Sequence, residues 1–562
     1  MGGEHQSWEK TTKMSTRAEA EAMGHISSDG NFNMAQAQTS RKETYERREK
    51  STPMIRLSVP PTSGFCSVRH GLALIVHLCN FLIFTQQMNL SIAIPAMVNN
   101  TALAGPSNTS TERPPTAPQD SWSETLKEFK PMAPTYDWSP DMQGIILSSL
   151  NYGFFLTLIP IGYMSGIYGA KYLVGVGLFL SSVLTFFIPL AADAGVAFLI
   201  VVRIVQGITQ GMVLTSQYTI WVKWAPPLEK SQLINIAISG QLLGSFIIFL
   251  IGGFLCQTIG WPYIFYIFGG IGCACSFLWF PLFYDDPINH PFISTGEKEY
   301  IMRSLAQQDS SPAWSLPIKA MVRSLPLWAI LIFHFTEFWS FYILMDYTPT
   351  YFSTILQANL RDKAPRGGLT TNAEDEGLLT GHKVPNKPSA RNLKSGILTS
   401  LLLVAAFICT IFGGLLADFL LSRKLLRLMS IRKLFTAIGV LVPSAALVSL
   451  HWTRSSLSAT TALLALSFTT TTFCQVGAFV NFLDIAPRYT GFLKGLSQVF
   501  AHAAGAISST LAGFIMNQDS EFGWRNVFLI SASVNVSGLV FYLIFGQAEV
   551  QDWATEQTLT HF

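Results

Sequence analysis

The chain is poor in charged side chains. Its 562 residues include 37 Lys and Arg and 34 Asp and Glu, which together make up 13% of the sequence. A typical soluble protein has about 25%. This composition argues against an ordinary water-soluble enzyme. The net charge of +3 comes with no basic patch interleaved with aromatic residues, which argues against nucleic-acid binding.

The chain also lacks the residue clusters of a disulfide framework, a metal site or a catalytic site. Its seven cysteines fall almost entirely within or at the ends of apolar runs, and no His or Cys cluster has ligand spacing. No nucleophile is paired with a base, so we predict neither an enzyme nor a bound cofactor. The first 65 residues are polar throughout, which excludes a secretory signal peptide.

Long apolar runs dominate the rest of the chain. They predict twelve membrane-spanning helices, at 72–97, 141–164, 172–191, 195–217, 232–256, 263–284, 326–350, 396–417, 433–451, 457–480, 490–516 and 526–546. With segment 363–394 set aside, the loops on the N-terminal side hold fourteen Lys and Arg and the opposite loops hold six. This bias predicts that both termini are cytoplasmic. The sequons at Asn99 and Asn108 then lie in an outer loop, where glycosylation is expected.

Short repeats occur at matching places in the two halves. The segments 162–166 (GYMSG) and 414–418 (GLLAD) follow spans 2 and 8, and Pro-containing loops follow spans 4 and 10. Parallel repeats of six helices are typical of the major facilitator superfamily, in which the substrate site lies near the midplane. We therefore predict an all-α membrane protein of this fold, with twelve transmembrane helices in two six-helix pseudo-repeats.

The predicted domain order follows from the spans and from two polar segments. It is a disordered cytoplasmic tail at 1–69, a first half at 70–284, a cytoplasmic linker at 285–325, a second half at 326–546 and a cytoplasmic tail at 547–562. Segment 363–394 has no apolar period and is predicted to be a disordered insertion within the second half.

Ionisable groups inside spans are costly and mark candidate functional sites. Arg203 in span 4 and Glu337 in span 7 are the two that the sequence places deep in the bilayer. A guanidinium at the midplane suits a carboxylate, phosphate or urate-like anion, so Arg203 is predicted to bind substrate in a water-accessible cavity. The alternative is a structural ion pair between Arg203 and Glu337 that locks the halves together.

Other polar residues share these helix faces. Gln206 and Gln210 form a stripe with Arg203 on span 4, and Gln87 lies on a stripe in span 1, so all three are expected to contact the anion. His334, three residues before Glu337, is a candidate for either packing or substrate binding. If Na⁺ is a coupling ion, Glu337 is the candidate carboxylate.

Two acidic residues lie at predicted inner helix ends. Asp418 follows span 8 and Asp484 follows span 10. At such positions we expect gating or capping contacts.

Several longer motifs resemble solute carrier family 17, the anion:cation symporter branch of the major facilitator superfamily. They are 203–207 (RIVQG), 221–231 (WVKWAPPLEKS), 260–266 (GWPYIFY), 481–489 (NFLDIAPRY) and 523–528 (GWRNVF). Within the family the chain is most similar to the type I sodium–phosphate cotransporter subgroup. The resemblance implies voltage-driven transport of organic anions such as urate and p-aminohippurate, together with sodium-dependent phosphate uptake, at the apical plasma membrane of epithelial cells.

Departures from other branches of that family separate the alternatives. Vesicular glutamate and sialic-acid members have an arginine where this chain has Gln87 and an acidic residue where it has Gln210. The missing carboxylate argues against the alternative of a proton-coupled vesicular or lysosomal carrier. A non-transporting receptor or scaffold is a more remote alternative. The C-terminal tripeptide from Thr560 to Phe562 (THF) predicts a PDZ-domain partner.

Overall fold

The computed structural model describes residues 67–98, 136–226, 229–306, 317–363, 388–453, 456–518 and 522–554. Regular structure in these ranges is helical, apart from one isolated bridge between Val98 and Tyr136. Val68 and Arg69, the last two residues of the predicted tail 1–69, are helical. Residues 1–66 of that tail, the sequons at Asn99 and Asn108 and the C-terminal tripeptide lie outside the described residues. The predictions made for them stay predictions.

Twelve long helices make up the described part of the chain. In order they are α1 Val68–Met97, α2 Pro140–Tyr168, α3 Ala170–Ala194, α4 Val196–Trp224, α5 Lys230–Thr258, α6 Pro262–Leu282, α7 Leu325–Lys363, α8 Pro388–Ser422, α9 Leu428–Ser449, α10 Leu457–Thr471, α11 Thr490–Gln518 and α12 Gly523–Phe545. Eleven of these segments are long and apolar enough to cross a membrane, and α2 has 29 residues. Two short helices, Thr295–Ala306 and Ile318–Arg323, form the linker between α6 and α7.

Three helices differ from the predicted spans. Helix α7 continues to Lys363, thirteen residues beyond the predicted end, and α8 begins at Pro388. Residues 388–394 are therefore helical, and the predicted disorder is wrong for this part of 363–394. A proline at the first helical position favours such a start, because its fixed φ suits the helix and its missing N–H has no partner there. Helix α10 is interrupted after Thr471 and continues as two short helices, Phe473–Val476 and Asn481–Ile485.

The two ends of the bundle are packed differently. The α1–α2 end is the end at which α1 finishes and α2 starts, and the α2–α3 end is the opposite one. At the α1–α2 end a single apolar core includes residues of both halves, among them Met97, Ile188, Tyr351 and Trp524. Towards the α2–α3 end the apolar cores belong to one half each. The halves are thus joined at the α1–α2 end.

Glycines allow the closest contacts between the halves. A Cβ added to Gly144 on α2 would lie 2.6 Å from the carbonyl oxygen of Ser509 and 2.9 Å from Cα of Gly513, both on α11. A Cβ added to Gly396 on α8 would collide with the carbonyl oxygen of Phe249 on α5. The helix pairs α2–α11 and α5–α8 therefore form tight backbone contacts across the interface.

Candidate functional site

Arg203 is a buried residue near the start of α4. Its side chain is 2% exposed, and its Nη1 donates a hydrogen bond to Oε1 of Gln206 at 3.0 Å. Its Nη2 lies 3.5 Å from the carbonyl oxygen of Gln87 on α1. As the eighth residue of α4, it lies about 10 Å along the axis from the α1–α2 end. In this conformation the guanidinium is closed off from water, because both halves pack over this level. Its predicted position near the membrane midplane stays a prediction.

The two glutamines that follow Arg203 face α3. Nε2 of Gln206 donates to Oγ1 of Thr185 at 2.7 Å, and Nε2 of Gln210 donates to Oγ of Ser181 at 3.1 Å. Gln206 thereby holds the guanidinium in place from the side of the first half. Both amide nitrogens bond within the first half in this conformation. The expected contact of these two glutamines with the anion stays a prediction.

Gln87 lies at the same level on α1. Its backbone oxygen faces Arg203, whereas its side-chain Oε1 is buried without a hydrogen-bond partner. The Nε of Arg203 also lacks a partner. These two unsatisfied atoms, one acceptor and one donor, remain free to bind another group.

Asp346 on α7 is an acidic residue that the sequence analysis missed. Its carboxylate accepts hydrogen bonds from Oγ of Ser91 on α1 at 3.3 Å and from Oγ of Ser509 on α11 at 2.7 Å. Asp346 is also the acidic residue whose charge acts on Arg203. We name Gln87, Ser91, Arg203, Asp346 and Ser509 the closure layer, because they join the two halves at the α1–α2 end.

The extension of α7 explains why Asp346 was missed. The predicted span ended at 350, which placed Asp346 at a helix end where a carboxylate needs no explanation. The helix continues to Lys363, so Asp346 lies well inside it and is only 6% exposed. Its signal in the sequence was a carboxylate inside a predicted span, directly after the apolar residues 343–345.

Glu337 and His334 lie deeper in the second half. Glu337 is 2% exposed and is hydrogen-bonded to the thiol of Cys474 on the short helix after α10. Among the described residues Glu337 forms no ion pair, so the predicted pairing with Arg203 is wrong in this structure. The Nδ1 of His334 bonds to the carbonyl oxygen of Ile330 at 2.9 Å, and its ring packs on Phe479. His334 is therefore not near Arg203.

A second polar layer, also missed, lies below the closure layer. His502 on α11 bonds through Nδ1 to Oδ1 of Asn151 at 3.0 Å and to the hydroxyl of Tyr342 at 2.9 Å. Its ring stacks on Phe154 of α2 with centroids 4.2 Å apart. This layer ties α2 of the first half to α7 and α11 of the second.

Among the described residues, no ion pair at the α2–α3 end joins the two halves. Arg432 at the start of α9 forms a bidentate pair with Asp484 at 2.7 and 3.2 Å, and its Nη1 donates to the carbonyl oxygen of Val476 at 2.6 Å. Asp484 therefore joins α9 to the short helix Asn481–Ile485 that follows α10. Asp418 lies in the last turns of α8.

The linker contacts the first half at this end. Glu297 of helix Thr295–Ala306 accepts hydrogen bonds from the first two backbone N–H groups of α1, at Val68 and Arg69, both at 3.1 Å. Arg69 forms an ion pair with Glu229 at 2.8 Å and packs on the ring of Tyr300. Burial and the charge of Glu229 raise the pKa of Tyr300 above its ordinary value. The linker helix thus caps α1.

The chain is similar to known transporters over most of its length. Residues 76–509 match the family model of the Major Facilitator Superfamily. The human "Probable small intestine urate exporter" is 66% identical, covering 98% of this chain and 100% of that protein. The mouse "Sodium-dependent phosphate transport protein 3" is 53% identical, covering 89% and 98%. The rabbit "Sodium-dependent phosphate transport protein 1" is 46% identical, covering 88% and 97%.

Solved structures show the same fold at low sequence identity. A bacterial homolog of the human lysosomal transporter Spinster superposes with a TM-score of 0.58 at 14% identity, covering 86% of this chain and 98% of that one. A D-xylose–proton symporter gives 0.57 at 14% identity, covering 85% and 98%. Both the predicted fold and the prediction that the chain is not an enzyme are confirmed, because the relatives are transporters. The chain belongs to the Major Facilitator Superfamily, and within it to the type I sodium–phosphate cotransporter subgroup of solute carrier family 17.

Proposed function

We propose that the protein carries organic anions of the urate and p-aminohippurate class, and inorganic phosphate, across the membrane by alternating access. The names of its relatives support urate and phosphate. The observation that carries the proposal is the closure layer, in which a buried arginine and a buried carboxylate from opposite halves lie at one closed end. Such a layer has two states, closed when the charges interact and open when they part.

The closed state cannot admit an anion, because Arg203 is 2% exposed. When the halves separate at the α1–α2 end, Asp346 moves away with α7 and Arg203 loses its nearby negative charge. A permanent cation without a counter-charge in a low-dielectric site is costly. An entering anion replaces Asp346 as the counter-charge and meets the free Nε of Arg203. Substrate binding and closure by Asp346 therefore exclude one another.

Membrane voltage supplies a driving force for this exchange. A monoanion crossing the whole field gains or loses about 2.3 kcal/mol per 100 mV. With both termini in the cytoplasm, as the loop charges predict, the α1–α2 end faces outward and a negative interior favours anion export. We place the protein in the plasma membrane, at the apical side of epithelial cells.

Na⁺ is the proposed coupling ion for phosphate. Two of the relatives have sodium-dependent transport in their names. Glu337, a buried carboxylate of the second half that forms no ion pair with the described residues, is the group we assign to it. Asp418 and Asp484 are proposed to stabilise the α2–α3 end of the second half.

The test replaces Arg203 and measures urate flux in proteoliposomes under an imposed voltage. Loss of two charge-assisted hydrogen bonds costs about 3 kcal/mol, so Arg203→Ala should lower urate flux about 100-fold. Arg203→Lys keeps the charge but not the planar donor fork, and should keep part of the flux. Arg525→Ala, at the start of α12 and outside the closure layer, is the matched control with unchanged flux. Normal flux in Arg203→Ala would contradict the proposal.

A further inference from the structure

Among the described residues of α7 and α12, three buried side-chain oxygen atoms have no hydrogen-bond partner. They are Oε2 of Glu337, Oγ of Ser340 and Oδ1 of Asn535. Their side chains are 2%, 5% and 2% exposed. Leaving three polar atoms unpaired in the membrane interior is unfavourable, because each loses its hydration without compensation. A ligand that pairs with all three oxygens would remove this cost.

Helix geometry places the three side chains together. Glu337 and Ser340 are three residues apart on α7 and share a face. On the same helix, Thr336 lies against Gly538 of α12, where an added Cβ would be 2.8 Å from Cβ of Thr336. Because α7 and α12 run in opposite directions, one turn back from Gly538 reaches Asn535, opposite Ser340.

The hydroxyl of Ser340 differs from nearby buried hydroxyls in its hydrogen bonding. Buried hydroxyls in these helices usually bond to a carbonyl one turn earlier, as Ser531 does to Val527 at 2.9 Å and Thr336 to Phe333 at 3.0 Å. Ser340 makes no such bond. Its oxygen therefore keeps both lone pairs available to a ligand from another direction.

The surroundings favour a cation. A bound cation would pair with the ionised form of Glu337, because no ion pair from the described residues competes for this carboxylate. Its hydrogen bond comes from the neutral thiol of Cys474, next to the interruption of α10. Interrupted helices in transporters commonly adjoin coupling-ion sites. The aromatic ring of Phe333, fully buried against Phe479 and Tyr542, closes the cluster towards the α2–α3 end.

We propose that Glu337, Ser340 and Asn535 form a Na⁺ site inside the second half, between α7, α10 and α12. Na⁺ is a hard cation that prefers carboxylate, hydroxyl and amide oxygens. The site deepens the proposed function, on which its role in coupling rests, because it names the ligands of the coupling ion. A bound Na⁺ neutralises Glu337 and fixes α7 against α12.

The test measures thermal unfolding of the purified full chain in NaCl and in choline chloride at equal ionic strength. Na⁺ should raise the unfolding temperature of the wild type. Glu337→Gln should abolish the rise, and Ser340→Ala and Asn535→Leu should each increase the half-saturating Na⁺ concentration about tenfold or more. Ser340→Thr keeps the hydroxyl and should keep the rise, which separates loss of the ligand from misfolding.

Two controls make the outcomes distinct. Ser216→Ala removes a buried hydroxyl on α4 that also has no partner, and should leave the response to Na⁺ unchanged. Arg203→Ala should lose urate flux and keep the response to Na⁺, so failure of one proposal does not imply failure of the other. The Na⁺ site is refuted if Asn535→Leu and Ser340→Ala respond to Na⁺ like the wild type. It is equally refuted if acidification in choline reproduces the effect of Na⁺, since Glu337 would then bind a proton.

Discussion

The hydrogen bond between Ser91 and Asp346 is a sharp test of the closure layer, because it joins the two halves directly. Replacing Ser91 with Ala removes this 3.3 Å contact and leaves Asp346 bonded to Ser509 of its own half. Hydrogen bonds to charged groups contribute about 1.5–3 kcal/mol, and the long distance places this one at the lower limit. A loss of about 1.4 kcal/mol corresponds to a tenfold larger open population.

The assay uses a cysteine introduced at Ser148, which is fully buried on α2 in contact with Thr510 of α11. A bulky thiol reagent can reach this position only when the α1–α2 end opens, so its labelling rate reports the open population. Ser91→Ala should increase that rate about tenfold. The matched control is Thr85→Ala, whose buried hydroxyl bonds only to Leu82 of its own helix. Equal labelling of the two variants would refute the closure layer.

Two further predictions concern helix packing and the α2–α3 end. Gly144→Val forces α2 away from α11 and should destabilise the closed state by about 1–3 kcal/mol, which is measured as faster labelling of the cysteine at position 148. The control is Gly270→Val, whose added side chain has no atom near its Cβ and should leave the labelling rate unchanged. Asp484→Asn leaves the nearly buried Arg432 without its counter-charge and should lower the free energy of unfolding by about 3 kcal/mol. Asp286→Asn, in a half-exposed pair, should cost under about 1 kcal/mol in the same denaturation experiment. Equal losses of unfolding free energy in Asp484→Asn and Asp286→Asn would contradict the conclusion that the nearly buried Arg432–Asp484 pair is the more important of the two for stability.

The sequence was sufficient for the fold because membrane spans are long and chemically uniform. The run at 72–97 became α1 Val68–Met97, and the run at 195–217 became α4 Val196–Trp224. The residues at which the helices begin and end were less predictable. Polar residues can continue a helix beyond the hydrocarbon without changing the apolar signal, which is how α7 reached Lys363.

The site was only partly predictable. Arg203 could be found, because an ionisable residue in an apolar run is rare whatever it contacts. Periodicity also gave the common face of Arg203, Gln206 and Gln210, but not the neighbour that this face meets. The structure places the two amides against α3, where the hydroxyls of Thr185 and Ser181 accept hydrogen bonds from their nitrogens. Contacts between distant helices are tertiary information, and no period in one helix contains them.

Helix α7 connects the two proposed sites. Glu337 and Asp346 are nine residues apart on it, about 13.5 Å along one continuous helix. A Na⁺ that fixes α7 against α12 also fixes the orientation in which Asp346 reaches Ser91. Coupling between two equilibria is reciprocal. If bound Na⁺ favours the closed state of the closure layer, closure must raise the Na⁺ affinity of the Glu337 site by the same factor. An anion that displaces Asp346 from Arg203 therefore acts on the Na⁺ affinity without touching Glu337, and one rigid helix is sufficient to couple the two.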